Sequence, residues 1–464
     1  MAETSETVTR KAAKNPRSRE PTPDETVGLY LKDFRSLKKG EFSGEPAVIS
    51  QLRQAGMNRF TELGFPTPAL ENWKHTDIHT MAREAYRRLP DEPAELDGAR
   101  LNPYVMGDFY RVVVVNGRFD RTLSSLPSRQ GGIEIGSLAE AIHGDAERLS
   151  LHLGQIADYH NQALVALNTA FMADGVFIHV PENTVLDRPV HVMAVSDPPG
   201  PRRAYHLRHL IWAEPGSEIT VVEHYVGLSE YDTLINQVTE IVVSENAKLC
   251  YVKLQEGSEE AYRIATTDTF QLENSTVSAW SVVMGGKLTR NDANTRLDGE
   301  GCECILNGLV LARGRQHVDN HTFVSHEKPH GTSHQLYKGI HGDRSHGVFN
   351  GRIRVQQDAQ KTNADQENRN LLLTNEALVN SNPQLEINAD DVRCTHGSTT
   401  GQLDKEATFY LQSRGLDAVS AKTLLATGFA AEVIQDIPPE PVRDYLSRRL
   451  EDWLSGIRWE ALVK

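Results

Sequence analysis

Apolar residues recur at steps of three and four from Val27 to about Arg88: Leu29, Tyr30, Phe34 and Leu37, then Val48, Ile49, Leu52, Met57 and Phe60. That spacing lays one apolar stripe along a helix, so the stretch is expected to be helical. Phe65-Pro66-Thr67-Pro68 interrupts it before another helical stretch. The Pro/Asp/Glu-rich run from Pro90 to Pro103 reads as a connector, and Val112 to Val115 as a short β element. Leu138 to Phe171 returns to helical spacing. Residues 27–174 are therefore expected to form a mixed, largely helical region.

The pattern changes at about Gly175. From there to about Asp404, β-branched runs alternate with short turn clusters, and no stretch of helical period intervenes. The clusters Glu214-Pro215-Gly216, Ser244-Glu245-Asn246, Glu273-Asn274-Ser275 and Gly299-Glu300-Gly301 follow one another at about 26 to 30 residues, the length of a solenoid coil. Within a coil the alternation is strict. Phe349, Gly351, Ile353 and Val355 share one face, Asn350, Arg352 and Arg354 the other. A β-sandwich also uses short alternating strands, but roughly 230 residues at this spacing is large for one sandwich. The expected fold class is mostly β, with a β-solenoid core over residues 175–404 and helical regions on either side.

After Asp404 helical periodicity returns over 406–412, 418–426, 429–436 and 439–454, punctuated by Gly415, Gly428 and Pro438-Pro439. A helical unit over 405–464 could close the open edge of the solenoid, whose backbone groups are otherwise unpaired, or dock a partner.

Bulk properties narrow the function classes. At 464 residues the chain can bury a large core. No run of 18 apolar residues marks a membrane span. Asp and Glu outnumber Lys and Arg by 63 to 49, for a net charge of −14, which argues against a nucleic-acid partner. Residues 1–26 are polar and lack a secretory apolar stretch, so they read as a disordered tail of a cytoplasmic protein. Four cysteines, Cys250, Cys302, Cys304 and Cys394, are too few for a disulfide framework and fit a reducing compartment.

Several residues carry candidate chemistry. Gly285-Gly286-Lys287 resembles the end of a phosphate loop, but Ser281 and Leu288 stand where glycine and Ser/Thr are needed. Cys302 and Cys304 lack a second cysteine pair and read as buried small hydrophobes rather than metal ligands. Seven histidines, His317, His321, His326, His330, His334, His341 and His346, could form a ladder of metal ligands on a strand; solvated polar positions on a solenoid face are the plainer reading. Cys394 and His396 are spaced i, i+2, so on a strand both share a face with Val392. Such a pair can hold iron or carry sulfur, although the apolar face alone suggests packing.

The run from Asn382 to Thr399, NPQLEINADDVRCTHGST, resembles the signature segment of the SufB/SufD family of iron–sulfur cluster assembly scaffolds. Glu71 to Asp77 (ENWKHTD), His317 to Thr322 (HVDNHT), Lys338-Gly339-Ile340 with Gly347 to Gly351, Phe409 to Gly415 and Gly428-Phe429-Ala430 resemble further segments in the same order. The resemblance implies a right-handed parallel β-helix between helical ends and a non-catalytic scaffold. It implies pairing with a SufB paralogue through the β-helix cores, and docking of the ATPase SufC on the C-terminal helices. ATP would be bound by SufC and not by this chain. The cluster assembled at the interface would be transient, with His396 the better supported ligand and Cys394 beside it. His317 and His321 are further metal candidates. A flavin in the complex and a homodimer of the isolated chain are left open. SufB-type members carry a sulfur-accepting cysteine near the position of Asn368 and a glutamate after the histidine, where this chain has Gly397. It therefore resembles SufD-type members, with a SufB-like scaffold as the alternative. From another class, solenoid folds also serve polysaccharide-active enzymes; Asp390-Asp391, the acidic pair such an enzyme would need, reads as a turn.

Overall fold

The computed structural model describes residues 22–84, 86–88, 96–127, 131–457 and 459. The expected tail up to residue 21 and part of the Pro90–Pro103 connector lie outside them. Helix α1 (Pro23–Lys39) already starts at Pro23, capped by Thr22, whose side chain accepts from Glu25 N–H while the Glu25 carboxylate accepts from Thr22 N–H. The last residues assigned to the tail are thus helical. Helices α2 (Ala47–Leu63) and α3 (His79–Arg83) follow. The strand Tyr110–Val115 holds the expected β run, and it forms an unanticipated antiparallel pair with Arg118–Ser125.

The expected helical stretch from Leu138 to Phe171 divides into α4 (Leu138–Leu149) and α5 (Ala163–Phe171), with turns between. The reason is a tertiary contact. The N–H groups of Gly154, Ile156 and Ala157 converge on the buried carboxylate of Glu240, whereas helical N–H groups are committed to carbonyls four residues back.

Sixteen strands, from Val176–Val180 to Arg393–Gln402, build the β-solenoid. They alternate between two parallel sheets, so each turn adds one strand to each. The register is in step over long distances: Tyr262 lies beside Leu288, Leu288 beside His317, and His317 beside His346. Phe349, Gly351, Ile353 and Val355 are buried and Arg352 is exposed, as the alternation requires. At one corner the turn clusters stack. Gly216 N–H donates to Glu245 O, Asn246 to Glu273 O and Asn274 to Glu300 O. Gly216, Asn246, Asn274 and Gly301 have φ of 66°, 58°, 55° and 69°, a left-handed conformation that Gly and Asn adopt at least cost.

Helices α6 (Lys405–Ser413), α7 (Ala418–Ile434) and α8 (Glu440–Ser455) follow the solenoid. Two expectations are corrected here. Gly428 does not end a helix: α7 runs through it, because one exposed glycine costs only about 1 kcal/mol while Ala426, Ala430, Val433 and Ile434 bury the opposite side. Nor do the helices close the open edge. They lie on the outer face of the second sheet, where Val252, Trp280, Val282, Leu309 and Ile340 meet Val433, Leu446 and Trp453. Tyr445 Oη and Arg449 Nε anchor α8 to Glu256 at 2.7 and 2.8 Å. Removing that apolar face from water favours this placement.

The two ends of the solenoid differ in consequence. At the first turns each sheet ends on an antiparallel strand, Glu134–Ser137 in one and Arg118–Ser125 in the other. At the last, Leu378–Ile387 and Arg393–Gln402 end the two sheets, with no further strand beside them among the described residues.

Candidate functional site

Cys394 and His396 lie on this open turn. Cys394 is in register with buried Ala364 and His396 with buried Gln366, so both continue inward-facing rows of the solenoid. On the same face, one row along, Ser398 Oγ donates across the lumen to Ser381 Oγ at 2.8 Å. Cys394 and Val392 pack on the cluster of Cys304, Leu306, Phe349 and Ile353. His396 is exposed. Burial pushes the Cys394 thiol above its ordinary pKa, offset in part by the Ala364 backbone. At neutral pH it is therefore a thiol, and acts as a soft ligand only where a metal displaces its proton. Asn368 is buried one row along, its Nδ2 donating to Tyr337 O at 3.1 Å, and a Cβ at Gly397 would meet open space.

His317 and His321 sit elsewhere, on the outer face of the first sheet. There the ENWKHTD segment folds over the strand His317–His326. Thr76 Oγ1 donates to Asp319 Oδ2 at 2.6 Å and lies 2.8 Å from His317 Nε2. His317 Nδ1 is 3.1 Å from His346 Nδ1, and His321 Nε2 is 2.9 Å from Asp319 Oδ1. Arg290 stacks on Trp73 at 3.9 Å and pairs with Asp319 at 3.0 Å. Burial alone would raise the Asp319 carboxyl, but His321 and Arg290 outweigh it and hold it well below the usual range. Burial lowers His317 to about 4. A cavity of about 310 Å³ opens beside them, lined by Glu71, Lys74, His75, His321, Asn350 and Asn382. The four candidate residues thus form two separate pairs. Among the described residues no group of three or more His, Cys, Asp or Glu is arranged to hold a metal ion.

The remaining histidines depart from the expected solvated face. His330 and His334 are exposed, but His326 and His341 are buried. Gly339 and Gly347 make the room: a Cβ on either would lie 2.3 Å from the His341 ring. Burial holds both His326 and His341 at about 4. Cys302 and Cys304 are buried, the Cys302 thiol donating to Leu272 O at 3.0 Å.

Sequence reasoning missed a polar interior. Lys253 Nζ lies 3.6 Å from Glu223 and 3.1 Å from Thr267 Oγ1, and Asn291 Nδ2 donates to Asn320 Oδ1 at 3.1 Å, all buried between the sheets. The signal was present: Gln237/Thr239 and Lys253/Gln255 are polar at period two on the face that elsewhere is apolar.

A family model described as SUF system FeS cluster assembly, SufBD core domain, matches residues 195–429. One described as SufBD protein N-terminal region matches residues 26–192. The iron–sulfur cluster assembly SufBD family protein of Synechocystis is 32% identical over 419 residues, 88% of this chain and 92% of the relative. The iron–sulfur cluster assembly protein SufD of Escherichia coli is 30% identical over 434 residues, covering 89% and 95%. SufD of Bacillus subtilis is 28% identical over 433 residues, covering 91% and 96%. Matches of this extent displace the polysaccharide-enzyme alternative. No helix among the described residues is long and apolar enough to cross a membrane.

Proposed function

The chain belongs to the SufBD family of iron–sulfur cluster assembly proteins, and from that premise we propose that it is a scaffold subunit whose open solenoid end pairs with a SufB-type paralogue. His396, assisted by Cys394, supplies this chain's share of the ligands to iron or nascent cluster, which passes through as cargo. The observation that carries the reading is the last turn of the solenoid: its strands Leu378–Ile387 and Arg393–Gln402 each end a sheet and are largely exposed, and Cys394 and His396 lie on the second of them. An open parallel edge invites pairing by another sheet. A SufC-type ATPase would dock on α6 and α7, where Phe409, Tyr410, Val419 and Leu424 are exposed, an apolar patch of the kind that marks a partner surface. The chain itself turns nothing over; ATP hydrolysis by the partner drives rearrangement.

Two experiments test this. Affinity purification of the full chain from its source cell is expected to bring down an ATPase and a SufBD paralogue. His396→Ala should then abolish or strongly lower cluster assembly by that complex while leaving its composition intact. Wild-type assembly by His396→Ala would sink the ligand role, and purification of the chain alone would sink the pairing.

A further inference from the structure

Gln366 sits on the inward face of the strand Asn363–Leu372 and is fully buried, directly beneath His396 in the parallel register. Its Nε2 donates to Gln335 Oε1 at 3.2 Å, an oxygen that also accepts from Thr322 Oγ1 at 2.8 Å. Gly351, across the lumen, makes this placement possible, since a Cβ there would lie 2.3 Å from that Nε2. The other end of the amide is not served. Gln366 Oε1 is buried and has no hydrogen-bond donor, a state that native interiors rarely leave uncompensated.

The adjoining inward side chain on the open turn is His396. Neighbouring strands of a sheet lie about 4.8 Å apart, which puts an imidazole N–H within reach of that oxygen once the ring turns inward. We propose that Gln366 is a positioning residue for His396: its Oε1 accepts one ring N–H and so fixes the tautomer, leaving the lone pair of the other ring nitrogen directed out of the open turn. The inference deepens the reading of His396 as a ligand and rests on it. A neutral imidazole has one donor and one acceptor nitrogen, so the bond made by one decides what the other can do. Ligating histidines ordinarily donate the second N–H to a carbonyl or carboxylate, and losing that partner typically costs 10- to 100-fold in metal affinity or activity.

The test uses the full chain labelled with nitrogen-15 at histidine, with His396 assigned by its loss in His396→Ala. In the wild type one tautomer of His396 is expected to exceed the other by about tenfold. Gln366→Met, close in length but with no strong acceptor, should return the ratio to that of a solvent-exposed histidine, and Gln366→Glu, which keeps an oxygen there, should restore the bias. Should Gln366→Met fold poorly by its thermal transition, Gln366→Leu takes its place. Cluster assembly by the purified complex should fall about 10- to 100-fold in Gln366→Met and recover in Gln366→Glu. Equal tautomer ratios in the wild type and the apolar variants would overturn the positioning role. A tautomer bias that follows Gln366, beside normal assembly by His396→Ala, would uphold the positioning and overturn only the ligand reading.

Discussion

Arg208 and Glu240 form an ion pair at 2.6 Å in which neither side chain is accessible to water. Glu240 also accepts the N–H groups of Gly154, Ile156 and Ala157, and Arg208 Nη1 donates to Asn168 Oδ1 at 3.2 Å. The pair therefore joins the N-terminal region to the first turns of the solenoid. Arg208→Met would leave a buried carboxylate without its cation, and is expected to cost about 3 to 5 kcal/mol. Urea denaturation measures it; a loss below 1 kcal/mol would show the pair to be dispensable.

Acid should loosen the turns nearest the open end. His326 and His341 are held at about 4 when folded, against an ordinary value near 6.5. The unfolded chain thus binds more protons between those values, and stability is complete above pH 6.5 and lost as pH falls toward 4. At pH 5 each contributes a loss of about 2 kcal/mol. Denaturation midpoints at pH 7.5 and pH 5 are expected to converge in His341→Gln relative to the wild type. An unchanged difference would refute the assignment.

Thiol reactivity should rank by burial. Burial holds Cys250 and Cys304 at about 12 and raises Cys302, while Cys394 is only half-buried at the open turn. Iodoacetamide at pH 7.5 should label Cys394 first, and more slowly than a thiol of the unfolded chain. Peptide mass spectrometry reads the order; labelling of Cys304 as fast as Cys394 contradicts it.

Backbone substitutions offer gains. His330 and Lys361 continue the left-handed turn stack at φ 61° and 63°, where a Cβ is unfavourable. His330→Gly and Lys361→Gly are each expected to stabilise by about 1 kcal/mol, and Gly301→Ala to destabilise, since its Cβ would lie 2.6 Å from Asn274 Oδ1. Thermal melts that show the opposite signs would rule out strain at this corner.

Gly428 is exposed within α7 and a Cβ there would meet nothing within 4 Å. Gly428→Ala should therefore stabilise the isolated chain by about 1 kcal/mol, read from its thermal transition; a destabilisation would show that α7 is not continuous through this position.

Much of this architecture is legible in the chain because it is locally encoded. The repeat of Gly216, Asn246, Asn274 and Gly301 announces the coil length, since residues that adopt positive φ at least cost recur at the stacked corner. Period two along Phe349 to Val355 announces which side chains face inward. The spacing of Cys394 and His396 likewise reveals a shared face. Where local rules competed with packing, they misled: Gly428 looked like a terminus, and the C-terminal helices looked like a cap.

Long-range register decided the rest. That Ala364 and Gln366 lie beneath Cys394 and His396, with no strand beyond them, depends on how far each coil closes on the last, which no window of residues contains. Nor could spacing tell exposed His330 from buried His341, because both stand at polar positions and only the glycines packed around the His341 ring bury it. The residue types, the periods and the turns were written in the sequence by itself. Which of its polar groups lie inside, and that α7 and α8 lie on a sheet face and not across the last turn, only the tertiary structure decided, because the surface that buries their apolar faces is assembled from strands far apart in the chain.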